Sequence, residues 1–275
     1  ESPNQHELVG FRCLPSLPSY HDSRYEALVS ANNATGVTIK GEGIVDGQGW
    51  AVWPVRQKPN SGFDCGHPPR LVELYACSGC TVEGLVLRNP PYWTFHIVYS
   101  DNITVKDVKV LAPTDSPNTD AVDIDSSTDV EIDGLYCYNG DDCIAVKSGK
   151  GPRGVATALP SRNIHARRIS SNGVAGIALG SEMSGGLQNV TIEDVVLTGS
   201  MGIDIKGGLG RGGFIKDVVF RNFSHTFGFT RCDPSLPCEG IRPSDYQSGS
   251  EGWIQLEPNG DMCQDDCPDN CPHNC

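Results

Sequence analysis

The chain has 275 residues and a formal net charge of −13, with 38% hydrophobic and 20% charged residues, enough for one large domain or two small ones. This acidity argues against a nucleic-acid partner, which needs a basic surface, and no apolar run approaches the roughly eighteen residues of a membrane span. The 32 glycines and 19 prolines favour turns and short strands, and no amphipathic helix is predicted.

The sequence begins at Glu1, which fits a processed or truncated start, and residues 1–36 read as an N-terminal extension or cap. The twelve cysteines and the Asn-x-Ser/Thr sequons at Asn33, Asn102, Asn189 and Asn222 indicate an oxidising, extracellular compartment. The protein is therefore expected to be secreted.

From residue 37 one phrase recurs, apolar-x-apolar-x-x-apolar-x-apolar: VTIKGEGI, CTVEGLVL, ITVKDVKV, VEIDGLYC, IHARRISS, VTIEDVVL and VVFRNFSH. The copies from Cys80 to Val218 begin 23, 27, 34, 26 and 28 residues apart, the period of a solenoid coil. Second apolar strands follow several copies, as in VDIDSS, CIAVKSG, GIALGSE and GIDIKGG. Strands recurring once per coil between Gly, Asn, Asp and Ser turns predict an all-β, right-handed parallel β-helix over residues 37–230. An antiparallel sandwich is the alternative.

Within that pattern, Trp50 and Trp53 near the GQG turn, and Tyr92, Trp93, Phe95 and His96 in PPYWTFHIVYS, are either sugar-stacking surfaces or packing. Packing is the commoner role of strand aromatics.

The next stretch, NTDAVDID at 118–125, places three aspartates in eight residues, and Asp141 and Asp142 follow about one coil later in YNGDDCIAVKSG. Stacked coils make such residues neighbours. If Val122, Ile124, Ile144 and Val146 face the core, alternation points Asp123, Asp125, Asp141, Cys143, Ala145 and Lys147 to solvent; Ile203 and Ile205 do the same for Asp204 and Lys206. Asp120 and Asp142 share the core parity and reach that face only if the turns at Pro117 and Gly140 break the strands. Clustered carboxylates suit glycoside hydrolysis, where one acid protonates the leaving oxygen and another activates water or attacks carbon. Mutual repulsion then raises a pKa into the working range. From acidity alone the commoner role of such residues is to be solvated, to cap backbone groups or to bind calcium.

The ordered phrases SPNTDAVDIDSS, NGDDCIAVKSG, GIALGSEMSGG and GIDIKGGLGRGG resemble glycoside hydrolase family 28, the polygalacturonases. The resemblance runs from about Ile44 to about Phe220, including HPPRLVELYACSGCTVEGLVLRNPPYWTFHIVYS. It implies a pectin-lyase-like right-handed β-helix that hydrolyses galacturonan linkages with inversion, without cofactor or metal. Carried over, Asp141 is the general acid, Asp120 and Asp142 hold and deprotonate water, and Asn118 orients the site or touches substrate. Inversion calls for an acid–base separation of about 6.5–9.5 Å.

Two positions depart from the family. The GHG histidine is replaced by Ala175, as in the GSEMSGG branch, and the arginine of the RIK motif by Asp204, which leaves Lys206 as a point charge. Either Lys147, Arg211 or another base compensates, or the preferred sugar differs, or catalysis is weakened. Asp123 and Glu182 are expected to support the cleft from behind. Cys137 and Cys143, flanking the catalytic turn, are either a disulfide or two free core thiols.

Residues 231–275 read as a cysteine-rich tail, possible truncation of the solenoid being read from the coils that the resemblance leaves unmatched. Cys263, Cys267, Cys271 and Cys275 fit disulfides better than zinc. The expected protein is a monomer acting on pectic polysaccharide. Its rivals are an inactive glycan-binding β-helix, favoured by Asp204 and Ala175, and a calcium-dependent lyase, which NTD and DD do not resemble.

Overall fold

The phrase that repeats in the sequence is a structural rung. Cys80 pairs with Ile103, Ile103 with Val130, Val130 with Ile164, Ile164 with Val190 and Val190 with Val218, all in parallel register. Successive copies therefore stand directly over one another, about 4.8 Å apart. In the computed structural model the residues described are 5–6, 11–56, 62–63, 65–199, 201–207, 211–224, 228–232, 239–244 and 254–256.

The two adjacent non-apolar positions of each phrase mark a corner. Their second residue is left-handed in six successive copies: Gly84 (φ 78°), Asp107 (49°), Gly134 (85°), Arg168 (55°), Asp194 (55°) and Asn222 (48°). Gly, Asp and Asn tolerate this conformation best. Arg168 is the exception, and its guanidinium is fixed by Asp133 and by Asp107 at 3.0 Å.

Beyond the corner the same chain bends onto a second face, so strands such as Asp101–Leu111 and Thr128–Tyr138 run eleven residues. They belong to a ten-stranded sheet. The shorter strands form a nine-stranded parallel sheet that includes Val72–Tyr75, Phe95–Val98, Val122–Asp125, Ile144–Lys147, Ile177–Gly180 and Ile203–Gly207. Leu74, Ile97, Ile124, Val146, Leu179 and Ile205 stack in register along its inner side, each fully buried. Burial of such side chains stabilises by about 1.5–3 kcal/mol apiece.

This is the right-handed parallel β-helix that the repeat predicts, and the parallel registers exclude the antiparallel sandwich. Its limits are wider than 37–230. Val29–Asn32 already pairs with Val72–Tyr75, and Glu239–Ser244 and Ile254–Leu256 continue the two sheets. Two short helices, Trp53–Arg56 and Gly151–Thr157, interrupt the coils. Cys263, Cys267, Cys271 and Cys275 lie outside the described residues.

A strap formed by residues 11–25 crosses the outer side of the nine-stranded sheet. Cys13–Cys65 joins it to the coil before Val72, and Tyr20 Oη donates to Asp125 Oδ2 at 2.5 Å. The Lys150 N–H donates to the Ser19 carbonyl at 3.0 Å, and Arg153 reaches Ser16 Oγ and the Tyr20 carbonyl, both at 2.8 Å. Asp123, Asp125, Ala145 and Lys147 do point away from the core, as alternation predicts, yet all are buried. The strap and the turns beside it cover them, so they are not solvent-facing. Cys143 instead turns inward to a disulfide with Cys137.

Candidate active site

The turns entering Val122–Asp125 and Ile144–Lys147 lie on adjacent rungs, where the Ala121 N–H donates to the Asp142 carbonyl at 2.8 Å. Asn118 takes a left-handed φ of 50°, and the Gly140 N–H donates to Thr119 Oγ1 at 3.0 Å. These breaks release Asp120 and Asp142 from the core parity of their strands. One oxygen from each of Asp120, Asp141 and Asp142 then lies within 4.8 Å of the others.

Buried Asn139 fastens the two turns. Its Nδ2 donates to the carbonyls of Thr119, Asp141 and Asp142 at 2.9, 2.8 and 3.0 Å. Sequence reasoning missed this residue, although it stands directly before the GDD phrase. A polar side chain at a core-parity position next to Gly was the available signal.

Burial, then repulsion from Asp142, pushes Asp141 up to about 6. Asp120 is raised well above the usual carboxylate range by burial, then by Asp141 and Asp123. Carboxyl groups in this state hold protons in mildly acidic water. Lys206 Nζ sits 3.1 Å from Asp142 Oδ2 and 4.0 Å from Asp204 Oδ2. Asn118 Nδ2 donates to Asp141 Oδ2 at 3.3 Å.

Three oxygens so placed could ligate a cation, but Lys206 already supplies positive charge there. The spacing instead suits a water. A water between oxygens up to 4.8 Å apart can donate hydrogen bonds of about 2.8 Å to two of them and accept one from the third where that carboxyl holds a proton. This separation of nearest oxygens is shorter than the expected interval of about 6.5–9.5 Å.

The other expected site residues divide. Glu182 and Asp123 are near the cluster but bound to Lys147, whose Nζ lies 2.9 Å from Glu182 Oε2 and 3.6 Å from Asp123 Oδ1. Lys147 is 5% exposed and also sits 4.6 Å from the Trp93 ring centroid, so it is not the free cation expected to replace the family arginine. Burial works against ionising Glu182, yet Lys147 holds it down to about 2. Burial raises Asp123 to about 7 despite Lys147. Arg211 is likewise not brought to the acids among the described residues; its backbone carbonyl accepts from the Ser184 hydroxyl.

Tyr92, Trp93, Phe95 and His96 are buried, which bears out packing, while Trp50 is exposed and the Trp53 indole N–H donates to the Pro90 carbonyl at 3.0 Å. His96 is held between Glu73 at 3.0 Å and Asp125 at 3.6 Å.

A family profile described as "Glycosyl hydrolases family 28" matches residues 11–226. The chain is 42% identical to a "Probable polygalacturonase" of Vitis vinifera over 77% of its own length and 44% of that protein. It is 29% identical to an "Endo-polygalacturonase" of Pectobacterium carotovorum subsp. carotovorum over 72% of its length and 50% of that protein. The chain thus spans no more than half the length of either relative. Among solved structures it is similar in fold to an exopolygalacturonase from Thermotoga maritima, with TM-score 0.65 and 23% identity, covering 91% of this chain and 65% of that one.

Proposed function

The chain belongs to glycosyl hydrolases family 28, and on that premise we propose that it is a secreted polygalacturonase-type hydrolase that cleaves α-1,4-galacturonosyl linkages of pectin with inversion. The observation that carries the hydrolase reading is the convergence of Asp120, Asp141 and Asp142, from two turns, to within 4.8 Å; inversion is what the family resemblance implies, that spacing being shorter than the usual inverting interval of about 6.5–9.5 Å. The polygalacturonase names of the relatives supply the substrate class.

In the mechanism Asp141, protonated below about 6, gives its proton to the leaving glycosidic oxygen. Asp120 and Asp142 hold a water between them, and Asp142, whose Oδ2 lies 3.1 Å from Lys206 Nζ, takes the proton as the water attacks the anomeric carbon. Asn118, bonded to Asp141 at 3.3 Å, keeps the acid aimed. Lys206 meets the substrate carboxylate, and Asp204 at 4.0 Å weakens that attraction. No step calls for a metal or cofactor. Among the described residues the disulfides Cys13–Cys65 and Cys137–Cys143 support an extracellular site of action, and a monomer suffices because one chain carries all three acids.

Reducing-sugar release from polygalacturonate at mildly acidic pH, with chelator present, tests this reading against an Asp141→Asn variant. The parent releases sugar and the variant loses about 10²–10⁴-fold in kcat, the usual worth of a general acid. A folded parent that binds the polymer without releasing ends would sink the hydrolase reading. Proton NMR of the first product gives the stereochemistry, and a retained anomer would reject the inverting mechanism.

A further inference from the structure

Lys147 and Asp123 share the rungs of the three acids. Lys147 ends the strand Ile144–Lys147, which the turn of Asp141 and Asp142 enters, and Asp123 lies on Val122–Asp125, which the turn of Asp120 enters. In register, Lys147 pairs with Asp125 and Asp123 with Ala145. Glu182 stands beside them on the next turn, its backbone carbonyl accepting the Ser148 N–H at 2.7 Å. The Lys147 ammonium is thereby clamped on three sides, by Glu182 Oε2 at 2.9 Å, by Asp123 Oδ1 at 3.6 Å and by the Trp93 ring, whose centroid is 4.6 Å away.

A buried ion pair repays its desolvation only where hydrogen bonds satisfy the remaining polar atoms. Asp123 is wholly buried, yet neither of its oxygens accepts a hydrogen bond among the described residues. This group is therefore a poor device for stability alone. What it does provide is a cation fixed in a medium that screens its field far less than water does, next to the acids. The charged and titratable groups around Lys147 are Asp123 and Asp125 from the preceding rung, Asp120 and Asp142 from the two catalytic turns, Glu182 from the next turn and Lys206 from Ile203–Gly207, with His96 and Tyr20 beyond the aspartates. Burial works against the ammonium, but Glu182, Asp123, Asp120 and Asp142 hold its pKa well above the usual lysine value. Lys147 acts back on Asp120 and Asp141, opposing in both the upward push of burial.

We infer that Lys147 is a positioning residue of the hydrolase: clamped by Glu182, Asp123 and Trp93, its fixed charge sets the pH at which the general acid gives up its proton. Buried as it is, it acts through the acids and not on substrate. Glu182 and Asp123 keep the charge in place and attenuate it, so the acid cluster answers to the balance of all three groups. The inference rests on the hydrolase reading for its reaction, whereas the effect on the carboxyl groups is separable from turnover.

Two variants of opposite sign test it. Lys147→Met removes the cation, and the alkaline limb of the kcat–pH profile on polygalacturonate is expected to move up by about one pH unit, the usual effect of a close charge, with KM unchanged. Glu182→Gln leaves the cation unopposed and is expected to move the limb down, while Lys147→Arg keeps the parent's limb. A lower kcat with unmoved limbs, or limbs that move the same way in the first two variants, overturns the proposal and leaves a structural ion pair. If Lys147→Met does not fold, Glu182→Gln decides alone: a limb that stays or rises overturns it. Carbon NMR of labelled aspartate carboxyl groups reads the same titration without turnover, the Asp141 signal being assigned by its loss in Asp141→Asn. A parent that releases no sugar sinks the hydrolase reading, yet opposite shifts of the Asp141 titration in the two variants still uphold the action of Lys147 on that acid; an Asp141 titration that neither variant moves overturns it whatever the activity.

Discussion

At the residue scale the proposed mechanism makes the proton on Asp141 set the working pH. Burial and Asp142 raise its pKa to about 6, so on that proposal the general acid is charged, and activity is expected to fall, as pH climbs above that value. Lys206 pulls the other way, because a nearby cation favours the carboxylate. Lys206→Met is therefore expected to move the alkaline limb of the kcat–pH profile upward while raising KM for polygalacturonate. A KM change with an unmoved limb would mean that Lys206 acts only on substrate. The aspartates themselves were legible in the sequence, because the NTD and DD phrases are local and their separation is one coil. What surrounds them was not. Tyr20 and Asp125 are 105 residues apart, and no periodicity links a strap to the strand it covers, so alternation placed Asp123 and Lys147 on the correct side but in the wrong solvent.

At the scale of elements the active site depends on how closely two turns approach. A Cβ built on Gly140 would lie 2.0 Å from the Ser116 carbonyl oxygen and 3.0 Å from its amide nitrogen. These are backbone atoms, which cannot rotate away as a flexible side-chain end can. Gly140→Ala must therefore push the turn of Asn118 and Asp120 from that of Asp141 and Asp142, breaking the Asn139 fastening. An active-site displacement of about 1 Å costs roughly 10²-fold in rate, and a loss of that order in kcat is expected while the β-helix signature in circular dichroism persists. Unchanged kcat would show that the turns have slack. The coils were readable because their cause is periodic: inward residues alternate, and each corner falls at the two adjacent polar positions of the phrase. The widened boundaries were not. Val29–Asn32 joins the sheet through pairing with residues 43 positions later, as in Val29 with Val72, and carries no copy of the phrase.

For the whole molecule the buried charges oppose one another in a way that fixes where folding is strongest. Glu73 and Glu182 are held down to about 2, against burial, by His96, Arg70 and Arg24 for the first and by Lys147 for the second. In the unfolded chain a Glu titrates at about 4.3. Their stabilisation is thus complete above that pH and is lost as pH falls toward 2. Asp123, raised to about 7 by burial, and Asp120 and Asp141, raised by burial and mutual repulsion, act with the opposite sign. Unfolding releases their protons once pH exceeds about 3.9, the unfolded Asp value. The native state then binds more protons than the unfolded one, and stability falls as pH rises from about 4 toward 7. Repulsion within a chain of net charge −13 adds to the same slope. Thermal unfolding between pH 3 and 8 should therefore show a maximum Tm at about pH 4, with a decline toward neutrality that is shallower in Asp123→Asn because one of the three released protons is gone. A Tm that keeps rising through pH 7 would mean that Lys147 and Lys206 hold these aspartates ionised in the folded protein, and with that the proton assigned to Asp141 would be lost as well.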